Sequence, residues 1–324
     1  MVNAPAPETP LRPLGLGEVL DRAVNLCVKH FVPLTMVFLV YAIPFAFVQY
    51  FATKDFSRMI QVMVEAVQSG KAVDQTAMER ELNGMTGINP WSPLLLLLAF
   101  FVYPLPLAAL IITAAGFYLG KPVAFGAAYR AALSRWPHLI GVNIMYGFAG
   151  GFVYFIVIVL VFVLALGIGF LYSMSSTAGI IVGIVIGTAA LLVMIAFIIV
   201  AVLAWEISTV SCVVEQLNLA IAFVKGITRV FSGIGLRRSL LVGFAFTAIL
   251  LGIELVAGLG EVLVIGVLKS DVAGTIYTTL VRLATAAFTT AFIAIFYFDL
   301  RVREEGLDLQ LAAQAAQTEA PASV

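Results

Sequence analysis

Charged residues and histidines are scarce in this sequence of 324 residues. Asp, Glu, Lys and Arg together make up 11% of the chain, and the only histidines are His30 and His138. A soluble domain ordinarily carries about 25% charged residues, because its surface must be hydrated. With 62% hydrophobic residues, this chain has too little polar surface to cover a globular core. The composition therefore excludes an ordinary soluble globular protein.

Recognisable catalytic and metal-binding motifs are also missing. The sequence contains no glycine-rich phosphate-binding loop, no Ser/His/Asp or Cys/His arrangement and no Cys/His/carboxylate group with metal-ligand spacing. Cys27 and Cys212 lack CxxC spacing, which favours two buried thiols over a disulfide. The net charge is zero, so there is no bulk attraction to nucleic acid. We therefore expect no enzymatic activity, no cofactor or metal, and no nucleic-acid partner.

Long apolar runs are what the sequence does contain. A helix of about 20 apolar residues crosses the hydrocarbon of a bilayer, and six runs meet that requirement. They predict an all-α, multi-pass membrane protein with six transmembrane helices. The predicted spans are residues 31–52, 92–119, 139–174, 178–214, 239–268 and 276–300. Within the second span, Pro104 and Pro106 predict a kink, because each lacks a backbone N–H.

The distribution of basic residues predicts the orientation. Six spans place both termini on one side, and the more basic side of a membrane protein faces the cytoplasm. A cytoplasmic N-terminus puts twelve of the eighteen basic residues in cytoplasmic segments and five outside, with Arg282 inside a span. We predict a bacterial inner-membrane protein with both termini in the cytoplasm. Residues 15–311 form one predicted membrane domain, flanked by disordered tails at 1–14 and 312–324.

Three basic amphipathic stretches run directly into apolar segments, at residues 15–31, 122–138 and 217–238. Helices of this kind lie in the membrane interface with their basic side toward anionic headgroups. We predict three cytoplasmic interfacial helices, spaced by about a third of the chain and each followed by two spans. The predicted lipid-headgroup contacts are Arg22, Lys29, Arg130, Arg135, Lys225, Arg229, Arg237 and Arg238.

The longest polar connection, residues 53–91, falls outside the membrane in this topology. Apolar residues recur at helical spacing from Phe56 to Val67, and Ser69–Gly70 ends the pattern. One interpretation is an amphipathic helix that lies on the outer leaflet or caps the bundle. The other is a lid over a central cavity. A second short helix is predicted at 74–82.

Four charged residues form a candidate intramembrane polar site: Glu206, Glu254, Glu261 and Arg282. A charge at the centre of a membrane helix costs about 2.5–3.5 kcal/mol on insertion scales, so each needs a partner or a function. Glu254 and Glu261 are seven residues apart and share a helix face. The residues favour either a structural Glu261–Arg282 ion pair or a polar path with an anion contact at Arg282.

A series of glycines predicts a helix-packing face in the fourth span. Gly179, Gly183 and Gly187 follow one another at intervals of four residues, and small residues at this spacing let two helix backbones approach closely. The partner is either the third span or a second copy of the protein.

Three segments resemble one family. Residues 11–31, LRPLGLGEVLDRAVNLCVKHF, look like the opening of bacterial membrane proteins related to the membrane domain of glycerophosphoryl diester phosphodiesterase. Residues 213–235 resemble the mid-chain pattern of the same group, and residues 296–311 resemble its ending. The resemblance implies the membrane architecture without the catalytic barrel, for which the chain has no polar domain. Gln216–Asn218 depart from the small, glycine-rich turn of the group.

These observations favour two functions. The first is a non-enzymatic membrane scaffold or partner subunit, anchored on anionic phospholipid and joined to a protein partner or a second copy. The alternative is a transporter or lipid-handling protein that uses Glu254, Glu261 and Arg282. A continuous aqueous cavity around these three residues favours the alternative, whereas a closed bundle in which they pair favours the scaffold.

Overall fold

Long helices make up the structure. The computed structural model describes residues 12–69, 76, 91–174 and 176–310, and the regular elements in these ranges are helical. The helices are α1 (Leu16–Lys29), α2 (Phe31–Ser69), α3 (Trp91–Leu97), α4 (Pro104–Tyr118), α5 (Phe125–Met174), α6 (Ser176–Val214), α7 (Leu219–Phe231), α8 (Gly233–Leu268) and α9 (Asp271–Glu305). Six helical stretches are long and apolar enough to cross a membrane. This confirms the prediction of an all-α, multi-pass membrane protein.

The six candidate spans agree with the predicted runs in number and order. They are Phe31–Ala52, Pro93–Tyr118, Phe125–Val159, Ile180–Val214, Gly233–Leu268 and Asp271–Glu305. The second span is interrupted where its prolines predict a kink. A π-helical turn at Leu98–Val102 ends α3, and α4 begins at Pro104. The indole N–H of Trp136 donates to the Phe101 carbonyl at 2.8 Å, which satisfies a backbone acceptor within the irregular turn.

Two helices continue further than predicted. Helix α2 runs without a break to Ser69, so residues 53–69 continue this helix instead of forming a separate one. The predicted helix at 74–82 and most of the remaining connection up to residue 91 lie outside the described residues. Helix α5 begins at Phe125 and includes Pro137. The second basic stretch is therefore the start of a 50-residue helix, even though proline usually interrupts or kinks a helix.

The chain divides into two compact units. The first comprises Met1–Trp136 and Phe246–Val324, and the second comprises Pro137–Ala245. In the first unit the second half of α9 is the core: all residues from Thr290 to Leu300 are buried. In the second unit the core lies where α6 meets α7, and it includes Ile207, Val210 and Ala222.

Candidate functional site

Helix α1 is fastened to α9 through the backbone of Leu14, two residues before the helix begins. The Leu14 N–H donates to the Asp299 carboxylate at 2.8 Å. Arg303 donates to both carboxylate oxygens of Asp299, at 3.0 and 3.1 Å, and to the Leu14 carbonyl at 2.6 Å. The Asp299 side chain is fully buried. Since both polar backbone groups of Leu14 are bound, Asp299 and Arg303 fix the point at which α1 begins.

The charged side of α1 also turns toward the protein. Arg22 donates to the Tyr118 hydroxyl at 3.2 Å and to Glu18 at 2.7 Å. Desolvation acts to raise the pKa of Glu18, but the hydrogen bonds from Arg22 and from the Gly15 N–H, with the positive charges of Arg22 and Arg12, hold this pKa below its ordinary value. Arg22 is thus a residue that docks the helix, with a side chain that is 16% exposed.

One part of the apolar side of α1 packs against the protein, and another part is exposed. Val19, Ala23 and Cys27 are buried against the unit, as the helical pattern predicts, and burial raises the pKa of the Cys27 thiol. Val24 and Val28 are exposed beside Lys29, which is also exposed. An apolar stripe next to a lysine is typical of a helix that lies in the membrane interface.

Helix α7 is oriented with its basic side inward, contrary to prediction. Arg229 is 3% exposed and donates to the Ser211 hydroxyl at 2.7 Å and to the Glu215 carboxylate. Lys225 pairs with the same carboxylate at 3.0 Å. Ser211 lies in the last turn of α6 and Glu215 directly follows this helix. Both are within hydrogen-bond distance of Arg229, so the counter-charge of this arginine comes from the protein. The exposed face carries apolar side chains instead: Ile221, Val224 and Phe231.

A glycine allows α7 to approach α6 this closely. A Cβ atom at Gly226 would lie 1.8 Å from the Ser208 hydroxyl oxygen and 2.8 Å from the Ala204 carbonyl oxygen. The Ser208 hydroxyl in turn hydrogen-bonds Tyr146 of α5 at 2.8 Å. Asn218 caps the N-terminus of α7 by accepting from the Ile221 N–H at 3.0 Å.

The eight predicted headgroup contacts therefore separate into two groups. Arg229 is buried and bound, and Arg22 and Lys225 have protein partners. A headgroup role for Arg229 is incompatible with this burial. Lys29, Arg130 and Arg237 are exposed, and Arg135 and Arg238 are partly exposed. For these five the predicted contact with anionic lipid stays a prediction.

The intramembrane charges of the first unit lie near one another without a direct ion pair. The Arg282 guanidinium lies over the Phe45 ring, 4.4 Å from its centroid. Both Glu254 and Glu261 are within electrostatic range of it, yet among the described residues neither carboxylate forms a hydrogen bond or ion pair with Arg282. The ion pair, one of the two interpretations drawn from the sequence, is thus not formed among the described residues, and Arg282 makes a cation–π contact with Phe45. Glu206 belongs to the second unit, where it is half-buried.

The glycine series lies on α6. A Cβ atom at Gly187 would have nothing within 4 Å, so the described part of the chain brings no helix against this position. Intramolecular packing on the third span is not seen at Gly187.

Sequence reasoning missed Asp299 and Glu215 as the residues that fasten α1 and α7. Asp299 lies in a charged segment at the end of α9 and is nevertheless buried. The available signal was spacing, because Asp299 and Arg303 are four residues apart and can pair on one helix face.

Metal and disulfide chemistry have no support in the described residues. No group of three His, Cys, Asp or Glu side chains is arranged to hold a metal ion there. Cys27 and Cys212 are both buried thiols, as predicted. No family model, no curated protein and no solved structure matches this chain.

Proposed function

We propose that this protein is a membrane scaffold or partner subunit without catalytic activity, placed in a bacterial inner membrane with both termini in the cytoplasm. The observation that supports it is the sparse burial of α5 and α6. Among the residues that the structure describes, only 6% and 11% are buried in the most apolar stretches of α5 and α6, against 50% in α9. Apolar surface that a chain does not use for its own packing is available to a partner in the bilayer.

The glycine face places the proposed contact surface on α6. Gly183 and Gly187 lie on α6, and Gly187 has no neighbour among the described residues. A second helix can approach closely at such positions. The partner is a second copy of the chain or another membrane protein.

Site-specific photo-crosslinking tests the proposal. A photoreactive amino acid at Val193, which is 70% exposed on α6, is compared with one at Leu263, which is 66% exposed on α8. After illumination of native membranes, we expect a protein adduct of defined mass from position 193 and only lipid adducts from position 263. Lipid adducts alone at both positions would contradict the scaffold function.

Anchoring on anionic lipid is the second part of the proposal. The apolar stripe of α1 is exposed next to Lys29, a combination that binds anionic interfaces. We expect native mass spectrometry to detect retained phosphatidylglycerol, with less retained after Lys29, Arg130 and Arg237 are changed to Gln. For the orientation, a reporter fused after Val324 is expected to be cytoplasmic.

A transport or lipid-handling function is the alternative, and one observation favours it. Arg282 has no ion-paired carboxylate among the described residues, although Glu254 and Glu261 are near. The test is growth and uptake with Arg282→Ala and Glu254→Gln. Unchanged uptake at normal expression would eliminate this function.

Kinship with the membrane domain of glycerophosphoryl diester phosphodiesterase also stays a proposal. It rests on the three segments of the sequence, and one structural feature supports it. The first and last of these segments meet, since Leu14 is bound by Asp299 and Arg303. If both segments belong to a family pattern, this contact explains why they occur together.

A further inference from the structure

Helix α7 lies across one end of the hairpin that α5 and α6 form. It begins against α5, where Leu219 packs on Gly141, and continues over α6, where Gly226 packs on Ser208. Gly141 and Ser208 are at a similar level of the hairpin, since the Ser208 hydroxyl bonds Tyr146, just over one turn from Gly141, at 2.8 Å. A helix that passes from one spanning helix to the other at one level is parallel to the plane of the membrane.

The contacts also place α7 below the surface of the membrane. The candidate span of α6 ends at Val214, six residues after Ser208, so α7 crosses α6 about 9 Å inside that end. In-plane amphipathic helices bury their apolar face to a similar depth, about 5–10 Å into the boundary between headgroups and acyl chains. At the other end of the hairpin α6 begins two residues after α5 ends. In the described part of this unit, an in-plane helix is therefore present in one leaflet only.

The face of α7 that turns away from the hairpin carries no charge. Its exposed side chains lie on one side of the helix: Ala220, Ile221, Val224, Thr228 and Phe231. The Thr228 hydroxyl already donates to the Lys225 carbonyl at 3.2 Å. Arg229 on the opposite side and Lys225 at the edge of the face both bind Glu215. The outer face thus offers apolar surface alone.

Such a face fits acyl chains better than headgroups or a protein. Attraction to anionic headgroups requires basic side chains that are not already bound, and α7 holds its own in ion pairs. A protein interface ordinarily includes hydrogen bonds, for which this face has no free polar side chain. An apolar helix in one leaflet occupies gaps between lipids, and its binding therefore depends on membrane curvature. We propose that α7 is a hydrophobic wedge that directs the protein to convex, loosely packed membrane by inserting its outer face between acyl chains.

The wedge goes beyond the scaffold function and does not rest on it. The scaffold is tested at α6, whereas the wedge is tested at the outer face of α7, so one can fail without the other. The wedge also differs from anchoring on anionic lipid, which is proposed for Lys29, Arg130 and Arg237.

Membrane tubes pulled from giant vesicles test the proposal. The full-length protein, with a fluorophore after Val324, is reconstituted in dioleoylphosphatidylcholine, and its density in the curved tube is compared with its density in the flat membrane. Six spans place this end of the chain on the side of α7, so a membrane-impermeant quencher identifies the copies with α7 in the outer, convex leaflet. We expect these copies to be enriched about twofold in the tube, without any anionic lipid.

Two sets of substitutions at the same three positions separate apolar character from folding. Ile221→Ser, Val224→Ser and Phe231→Ser together make the outer face polar, and the enrichment should disappear. Because these side chains are exposed, thermal unfolding should shift little. Leucine at all three positions keeps the face apolar and should preserve the enrichment.

Four results would overturn the proposal. The first is an equal density of the unchanged protein in tube and flat membrane. The second is enrichment that persists in the serine variant. The third is enrichment that appears only after phosphatidylglycerol is added, which would assign it to basic residues. The fourth is a protein adduct, instead of the expected lipid adducts, from a photoreactive amino acid at Val224 in native membranes, which would assign the face to a protein partner.

Discussion

Helices α1 and α7 share a sequence pattern but are attached in different ways. Each is a short amphipathic helix that ends one residue before a long apolar helix, with His30 and Ser232 at the two junctions. The attachment of α1 combines the bonds of Asp299 and Arg303 to the Leu14 backbone, two residues before the helix, with a side-chain bond from Arg22 to Tyr118. The attachment of α7 acts on its side chains, through the bonds of Arg229 and Lys225 to Glu215.

The difference shows that an amphipathic pattern does not by itself decide which face of a helix meets the membrane. In α7 an acidic residue lies within reach, and the arginine turns inward while apolar residues remain outside. In α1 the lysine at the C-terminal end stays exposed.

The largest effect is expected from Glu215→Gln. This change leaves the guanidinium of Arg229 buried without its anion, and breaking a buried ion pair on one side costs roughly 3–5 kcal/mol. Thermal unfolding in nanodiscs measures the loss. The double variant Glu215→Gln, Arg229→Met should recover part of the stability, because it removes the uncompensated charge.

The matched control for this change is Glu305→Gln. Glu305 pairs with Arg301 at four-residue spacing, and its side chain is 29% exposed, so the loss should be about 0.5 kcal/mol or less. Equal destabilisation by Glu215→Gln and Glu305→Gln would refute the view that α7 depends on a buried pair.

A smaller effect is expected from Asp299→Asn at the other helix. The change weakens the charge-assisted hydrogen bonds to Leu14 and Arg303, each worth about 1.5–3 kcal/mol. Hydrogen exchange at the first turn of α1 should accelerate, while exchange in α7 stays unchanged. Loss of protection in both helices alike would indicate global destabilisation instead of a local release of α1.

Two glycine substitutions, one in each helix, test the difference in packing between α1 and α7. Gly226→Ala in α7 forces a methyl group against Ser208 and the Ala204 carbonyl, and overpacking of this kind costs about 1–3 kcal/mol. Gly17→Ala in α1 meets nothing within 4 Å and should stabilise the helix by about 0.5–1 kcal/mol. Thermal unfolding of the two variants should therefore shift in opposite directions, and shifts of the same sign would contradict the close packing of α7.

The helical class and the six spans follow from the sequence because apolar run length is a local property. The interruption at Pro104 is also local, since proline removes a backbone donor. The orientation of α7 is not local: it depends on Glu215 and Ser211 at the end of α6. The pattern of α7 alone fits either orientation.

The candidate site was predictable in part for the same reason. Glu254, Glu261 and Arg282 are conspicuous in apolar spans, but whether they pair depends on the rotation of α8 and α9 about their axes.

The turn at Gln216 is a second feature that the sequence does not predict. Gln216 adopts a left-handed conformation with φ 56°, which usually favours glycine, so its sequence gives no signal of the turn between α6 and α7.

The smallest expected effect concerns the response of the two helix N-termini to pH. Glu18 reaches back to the Gly15 N–H at 3.4 Å and binds Arg22, and its pKa in the folded protein is below the ordinary value of 4.5. The stabilisation is therefore complete above the ordinary pKa and is lost as the pH falls through the lowered one. In α7 the cap is the neutral side chain of Asn218, which does not titrate. Hydrogen-exchange protection factors at the start of α1 should decline in acid, and those at the start of α7 should not. Glu18→Gln should abolish the acid dependence at α1; its persistence in this variant would assign the effect to another group.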